Sequence, residues 1–382
     1  MIFSLNNRHR KCMGLKLVKD DYEIVENEFE EKYIGGIKKY TLYFDKDNLV
    51  KIVKTYISNV YISLHEMDVN YKTRNNKTIL LPKTNKGRER KLLLNVVDSL
   101  NGEGNYFYIA CDLKIPAHSY AEIANYTTQK SFYKERYLKC NSWKDMIKWC
   151  DKFADDSSEE DIKKVSEFAN EKRVHVKYKE GDYFRIKFEK NNYLYGRILL
   201  DVYKGEKNGD FDYFAGFMGH NLIIEMFHII TTRTDVSIDE LKKLKTFPSE
   251  HIMDNIFYYG DCEIIGNEKL DDNQKYPIIY GVRTINKQHS IVFQYGKIQK
   301  SLPYEKEKLL GNFAFRGSGF YFTIDNEKII RKCIKEKSNK PFWDFYKSYN
   351  DHDIRSIKNK EIFKKILKQF NMEYLFELYK DY

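Results

Sequence analysis

Apolar and polar positions alternate most clearly over residues 181–201. Tyr183, Arg185, Lys187 and Glu189 fall on one side of an extended chain and Phe184, Ile186 and Phe188 on the other, as a period of two requires. Lys190, Asn191 and Asn192 supply a turn, because asparagine tolerates the left-handed backbone of tight hairpin loops. On the return arm Leu194, Gly196, Ile198 and Leu200 share a face, so the segment predicts a β-hairpin. Strands are also predicted at residues 262–265, 278–282 and 290–295. A nearly continuous apolar run predicts a buried strand over 221–231. Ser237 and Glu240 form a capping box that opens a short helix with Leu241 and Leu244. Near the end, Ile362, Phe363, Ile366, Leu367 and Phe370 line one face of a helix over 361–370.

The first half mixes both periods. Residues 38–44 alternate, with Tyr40, Leu42 and Phe44 together. Leu49, Val53, Tyr56 or Ile57, Val60 and Leu64 then recur at helical spacing behind capping residues at 45–48, although the β-branched content also admits a strand at 59–64. Strands are expected at 79–81, 92–97 and 106–112, with a flexible turn over 101–105. A helix over 143–153 sets Trp143, Met146, Ile147 and Cys150 on one side. Ser157 and Glu160 read as a capping box for a helix to about Lys172, lined by Ile162, Val165, Phe168 and Ala169. The acidic run over 155–161 suits that helix N-terminus.

The fold class is α+β: a mixed α/β N-terminal domain, then a mostly β domain, barrel-like or a twisted antiparallel sheet, with C-terminal helices. At 382 residues the chain exceeds one ordinary core. The expected division is an N-terminal domain over 1–155 with no assigned role, a helical linker over 156–177, a β domain over 178–300, and a β/helical extension over 301–382 packed on it. Hydrophobic content of 42%, with 31 Tyr and 25 Phe, excludes global disorder. Mean hydropathy is −0.65 and no apolar run reaches the roughly 18–20 residues of a membrane helix. The N-terminus sets its basic cluster after a few apolar residues and develops no apolar core, so it does not read as a secretory signal and the cytoplasm is expected; Met13 stands as a second candidate start.

Chemistry is sparse. No phosphate-binding, zinc-protease or nucleophile-elbow motif is present, and the glycines over 311–320 are poorly spaced for a nucleotide. The six cysteines form no CxxC pair and are expected to be free thiols, with no metal and no cofactor. His220 and His228 sit too far apart along one strand to share an ion, and His251, Asp254 and Cys262 would need the fold to bring them together. The net charge of +10 favours nucleic acid, an acidic protein partner or an anionic membrane face. Its densest cluster is Lys83, Lys86, Arg88, Arg90 and Lys91, the candidate nucleic-acid surface of a defence-associated protein; a second lies over 331–340. An enzyme with its site in the N-terminal half is the third class.

One resemblance narrows the choice. Gly181, Asp182 and Phe184, then Tyr195, Gly196 and Arg197, then Gly260, Asp261 and the run from Glu263 to Asn267, followed by Pro277, are similar to the Immunity protein 26 family of bacterial polymorphic toxin systems. Cys262 stands where that family has an aromatic residue, and the likeness spans about residues 174–300. It implies a non-enzymatic protein that covers the active surface of a cognate toxin encoded next door. Asp182, Tyr193, Tyr195, Arg197 and Tyr213, in an aromatic-rich region, are the candidate partner contacts.

Overall fold

The computed structural model describes residues 4–30, 35–73, 86–88, 94–115, 118–214, 219–305, 308–311, 313, 327–345 and 353–379. The chain divides into two compact units, Met1–Val174 and His175–Tyr382.

The first unit is a seven-stranded antiparallel meander: β1 (Glu23–Glu30), β2 (Ile37–Asp45), β3 (Asn48–Ile57), β4 (Tyr61–Lys72), β5 (Glu103–Asp112), β6 (Tyr120–Asn125) and β7 (Ser131–Arg136), each paired with its neighbours in sequence. Helices α1 (Asn7–Cys12), α3 (Trp143–Asp155) and α4 (Glu159–Ala169) cover one face, where Leu64, Phe107, Ile109 and Ile123 meet Met146, Cys150, Val165 and Phe168. On the other face Tyr40, Leu42, Ile52 and Met67 meet Val97, in α2 (Leu94–Asp98), and Leu100.

That two-sided burial explains the misread helix over 49–64. A strand covered on both faces is apolar without alternation, and its spacing then matches either period. The expected capping residues at 45–48 form the turn of the β2–β3 hairpin, with Lys46 at φ 54° and Asp45 opposite Asn48. The strand expected at 92–97 is helical from Leu94, and the one at 79–81 lies outside the described residues. The capping box is one residue later than expected. The Ser158 hydroxyl accepts from the Asp161 N–H, and the Asp161 carboxylate accepts from the Ser158 N–H. Ser157 instead donates to Phe153 O at 2.6 Å, and Ile147 is exposed.

The cysteine expectation is corrected for one pair. Cys111 at the end of β5 and Cys140 after β7 are joined as a disulfide with Cα atoms 5.6 Å apart, neighbours in space across 29 residues of sequence. Cys12, Cys150, Cys262 and Cys333 are buried thiols that take no part in a disulfide.

Residues before Met13 are built into this unit. Arg10 of α1 reaches the sheet, where its Nε lies 2.7 Å from Glu66 Oε1; Lys51 Nζ lies 2.9 Å from the same oxygen and 2.6 Å from Asp68 Oδ1. All four side chains are buried.

The second unit holds a five-stranded antiparallel sheet in the order β11-β10-β9-β8-β12: β8 (Asp182–Lys187), β9 (Tyr193–Asp201), β10 (Asn221–Met226), β11 (Glu250–Met253) and β12 (Cys262–Asn267). A three-stranded sheet follows, β13 (Ile278–Ile285), β14 (Gln288–Tyr295) and β15 (Ile298–Pro303). Short helices α5 (Val202–Asn208), α6 (Ile238–Leu241) and α7 (Asn255–Tyr258) punctuate the strands, and α8 (Glu327–Glu336), α9 (Lys340–Phe345), α10 (Lys360–Gln369) and α11 (Leu375–Tyr379) come last. Phe184, Ile198, Ile224 and Ile252 pack with Tyr280, Phe293, Ile330, Trp343, Leu367 and Leu375 in one core. The opposite face carries Tyr183, Tyr195 and Phe227 under Val236 and Leu241. Neither sheet closes on itself among the described residues, so the β part is the twisted antiparallel alternative, with C-terminal helices, and no closed barrel.

Candidate functional site

The expected hairpin forms as β8–β9, with Phe184 opposite Gly196 and Tyr183 opposite Arg197. Its glycines have steric causes. A Cβ on Gly196 would meet Met226, the Phe184 ring and the Glu225 carbonyl oxygen. Gly181 has φ +86°, and a Cβ there would strike the carbonyl oxygen of Glu268. Gly181→Ala is therefore expected to destabilise the second unit by about 2–4 kcal/mol, from the left-handed backbone and the collision together. Urea unfolding of the full chain checks it; a change within about 0.5 kcal/mol would mean that the loop moves aside freely.

These side chains converge on one place, the end of strand β12. Arg197 Nη2 donates to the carbonyl oxygens of Glu268 at 3.0 Å and Lys269 at 3.3 Å. Its guanidinium lies 4.6 Å from the centre of the Tyr183 ring, and the Tyr183 hydroxyl donates to Glu268 Oε2 at 3.3 Å. Asn267 Nδ2 donates to Asp182 Oδ1 at 2.8 Å and to Glu180 O at 3.1 Å, while Glu268 N–H donates to Gly181 O. Asp182 also accepts from Lys179 N–H at 2.8 Å. Gly181, Asp182, Arg197 and Asn267 thus form a clamp that fixes residues 267–269 against the hairpin. Burial pushes the Tyr183 phenol up to about 12, against the pull of Arg197. Burial also lifts the carboxyl of Glu225, which faces Arg197 from the next strand, although Arg197 draws it down.

The expected partner contacts are placed differently from a surface patch. Asp182 is 4% exposed, Tyr195 0%, Arg197 8% and Tyr213 4%. The Tyr195 hydroxyl donates to Arg233 O at 2.7 Å. Tyr213 lies away from the clamp, in a core with Leu199 and Leu200, its hydroxyl 3.0 Å from His251 Nε2. Only Tyr193 is half-exposed, beside Arg185, whose Nη2 lies 2.7 Å from Glu263 Oε2. A sheet covered on both faces leaves its central strand no solvent side, which is why Tyr195 and Arg197 are buried. Asn267 was legible as part of the motif, but the carbonyl groups of Glu268 and Lys269 carry no side-chain signal.

The remaining candidates do not assemble. His220 pairs with Asp254 at 3.4 Å and stacks on Tyr203; His228 is bonded to Asn339; His251 contacts Tyr213 and Asn221; the Cys262 thiol donates to Ile256 O. No grouping of His, Cys, Asp or Glu able to hold a metal occurs among the described residues. Of the basic cluster, Lys86 and Arg88 are exposed, and Lys83, Arg90 and Lys91 lie outside the described residues. In the second cluster Arg331 pairs with Glu189 and Glu327, and Lys332 with Glu336. Most of the glycine-containing tract over 311–320 lies outside the described residues. No described helix is long and apolar enough to cross a membrane.

Among the curated proteins and the solved structures compared with the chain, nothing matches. The family model of Immunity protein 26 matches residues 179–291, the segment that holds the hairpin, the clamp and strand β12.

Proposed function

We propose that the protein is an immunity protein that binds a cognate bacterial toxin and neutralises it by covering the toxin's active surface. The family match over residues 179–291 carries this reading. The clamp supports it, because the motif residues build a rigid strand rather than a reacting centre. Inhibition by occlusion needs an interface of roughly 1,200–2,000 Å² and no chemistry of its own.

The test is co-expression with the secreted protein encoded beside this chain, in a host that the secreted protein kills. Growth restored by this chain, with a stable complex in size-exclusion chromatography, is the expected result. Killing that continues at full expression of a folded chain, with no complex, would overturn the reading.

A further inference from the structure

The clamp holds a strand with whose far side no described element pairs. Phe188 N–H donates to Asn192 O at 2.9 Å, so Phe184, Ile186 and Phe188 direct their backbone groups toward β9. Tyr183 and Arg185 then direct theirs toward β12, where they face Gly266 and Glu263. It follows that Ile264 and Asn267, between and beyond those inward-bonded residues, turn their N–H and C=O groups to the outer edge. Strand β12 ends the sheet, and no described element pairs with that edge. The edge of β13 differs, since Tyr280 there exchanges backbone hydrogen bonds with Phe313.

Exposed edges are usually guarded by lysine, proline or a bulge. Strand β12 has neither lysine nor proline; its guards are the bulge at Ile264/Gly266 and the charge of Glu263, and past the bulge the clamp fixes residues 267–269 against the hairpin. The side chain of Glu263 is 64% exposed and stands on the same face as Arg185. Two copies paired antiparallel through this edge would bring acidic residues 261 and 263 of each near those of the other, which disfavours self-pairing.

From this geometry we infer that an extended segment of the toxin adds to the five-stranded sheet as a further strand against β12. Its backbone bonds Ile264 and Asn267, and it carries a lysine or arginine beside Glu263. Backbone pairing supplies affinity and the charge supplies register. This inference rests on the immunity reading and names its contact surface.

Hydrogen–deuterium exchange of the full chain, alone and with the secreted protein encoded beside it, tests both. In the free chain the Glu263 amide exchanges slowly and the Ile264 amide fast. On complex formation the Ile264 and Asn267 amides slow by at least about tenfold. Ile264→Pro, which deletes one outward donor, weakens the complex by about tenfold while circular dichroism stays unchanged. A complex that forms with Ile264 still exchanging fast overturns the edge and leaves the immunity reading standing. Absence of any complex overturns both. If Ile264→Pro fails to fold, the exchange data on the unaltered chain decide alone.

Discussion

Glu66→Ala is expected to lower the stability of the first unit by about 3–5 kcal/mol, the cost of leaving buried cations without their carboxylate. Arg10 and Lys51 both reach Glu66, and the side chains of Lys51 and Glu66 are 1% and 0% exposed. Burial alone would raise the Glu66 carboxyl, but Lys51 and Arg10 together overcome it and hold it below the usual carboxylate range. A folded value below the unfolded one means stability present above the ordinary carboxylate range and lost as pH falls through the folded value. Asp68 works the other way, lifted by burial against the pull of Lys51. Trp143 and Trp149 lie in the first unit and Trp343 in the second, so tryptophan fluorescence during urea unfolding follows the first unit once Trp343 is replaced by Phe. A loss below about 1 kcal/mol would show that the two cations reach water or another carboxylate once Glu66 is gone. Removal of residues before Met13 deletes Arg10 and should move stability in the same direction.

That network was invisible in the sequence for a reason that also blurred the first sheet. Lys51, Glu66 and Asp68 interrupt apolar strands as surface residues do, and only the docking of α1 buries them. Elements governed by local rules were legible: the turn at Asn191 and Asn192, the Ser237 box, the amphipathic helix of Ile362 to Leu367. Elements governed by layering were not. Strand β3 looked helical because both of its faces are covered, and Tyr195 and Arg197 looked like a surface because alternation cannot report a second layer. The motif residues lie within the matched segment, residues 179–291. Their work is done on backbone carbonyls some seventy positions away, beyond any reading of spacing.

Arg197→Lys is expected to lower the stability of the second unit by about 2–3 kcal/mol and to weaken binding of the proposed partner, although the residue is 8% exposed. Lysine keeps the charge, but its ammonium stops one bond short of Nη2, the single nitrogen from which Arg197 reaches both the Glu268 and Lys269 carbonyls, and it brings no planar group to lie on the Tyr183 ring. One carbonyl is left without its donor, and the chain after Asn267 loses its anchor. The expected signature separates this role from a direct contact. A contact residue changes affinity with stability intact; a clamp residue lowers both and raises amide exchange over 264–269 in the free chain. Glu263→Lys, on the exposed rim, should do the opposite, leaving unfolding within about 0.5 kcal/mol while weakening binding. If Arg197→Lys reduced affinity with unchanged stability and exchange, the guanidinium would have to reach the partner itself, and the edge of β12 would lose its claim as the surface the clamp serves.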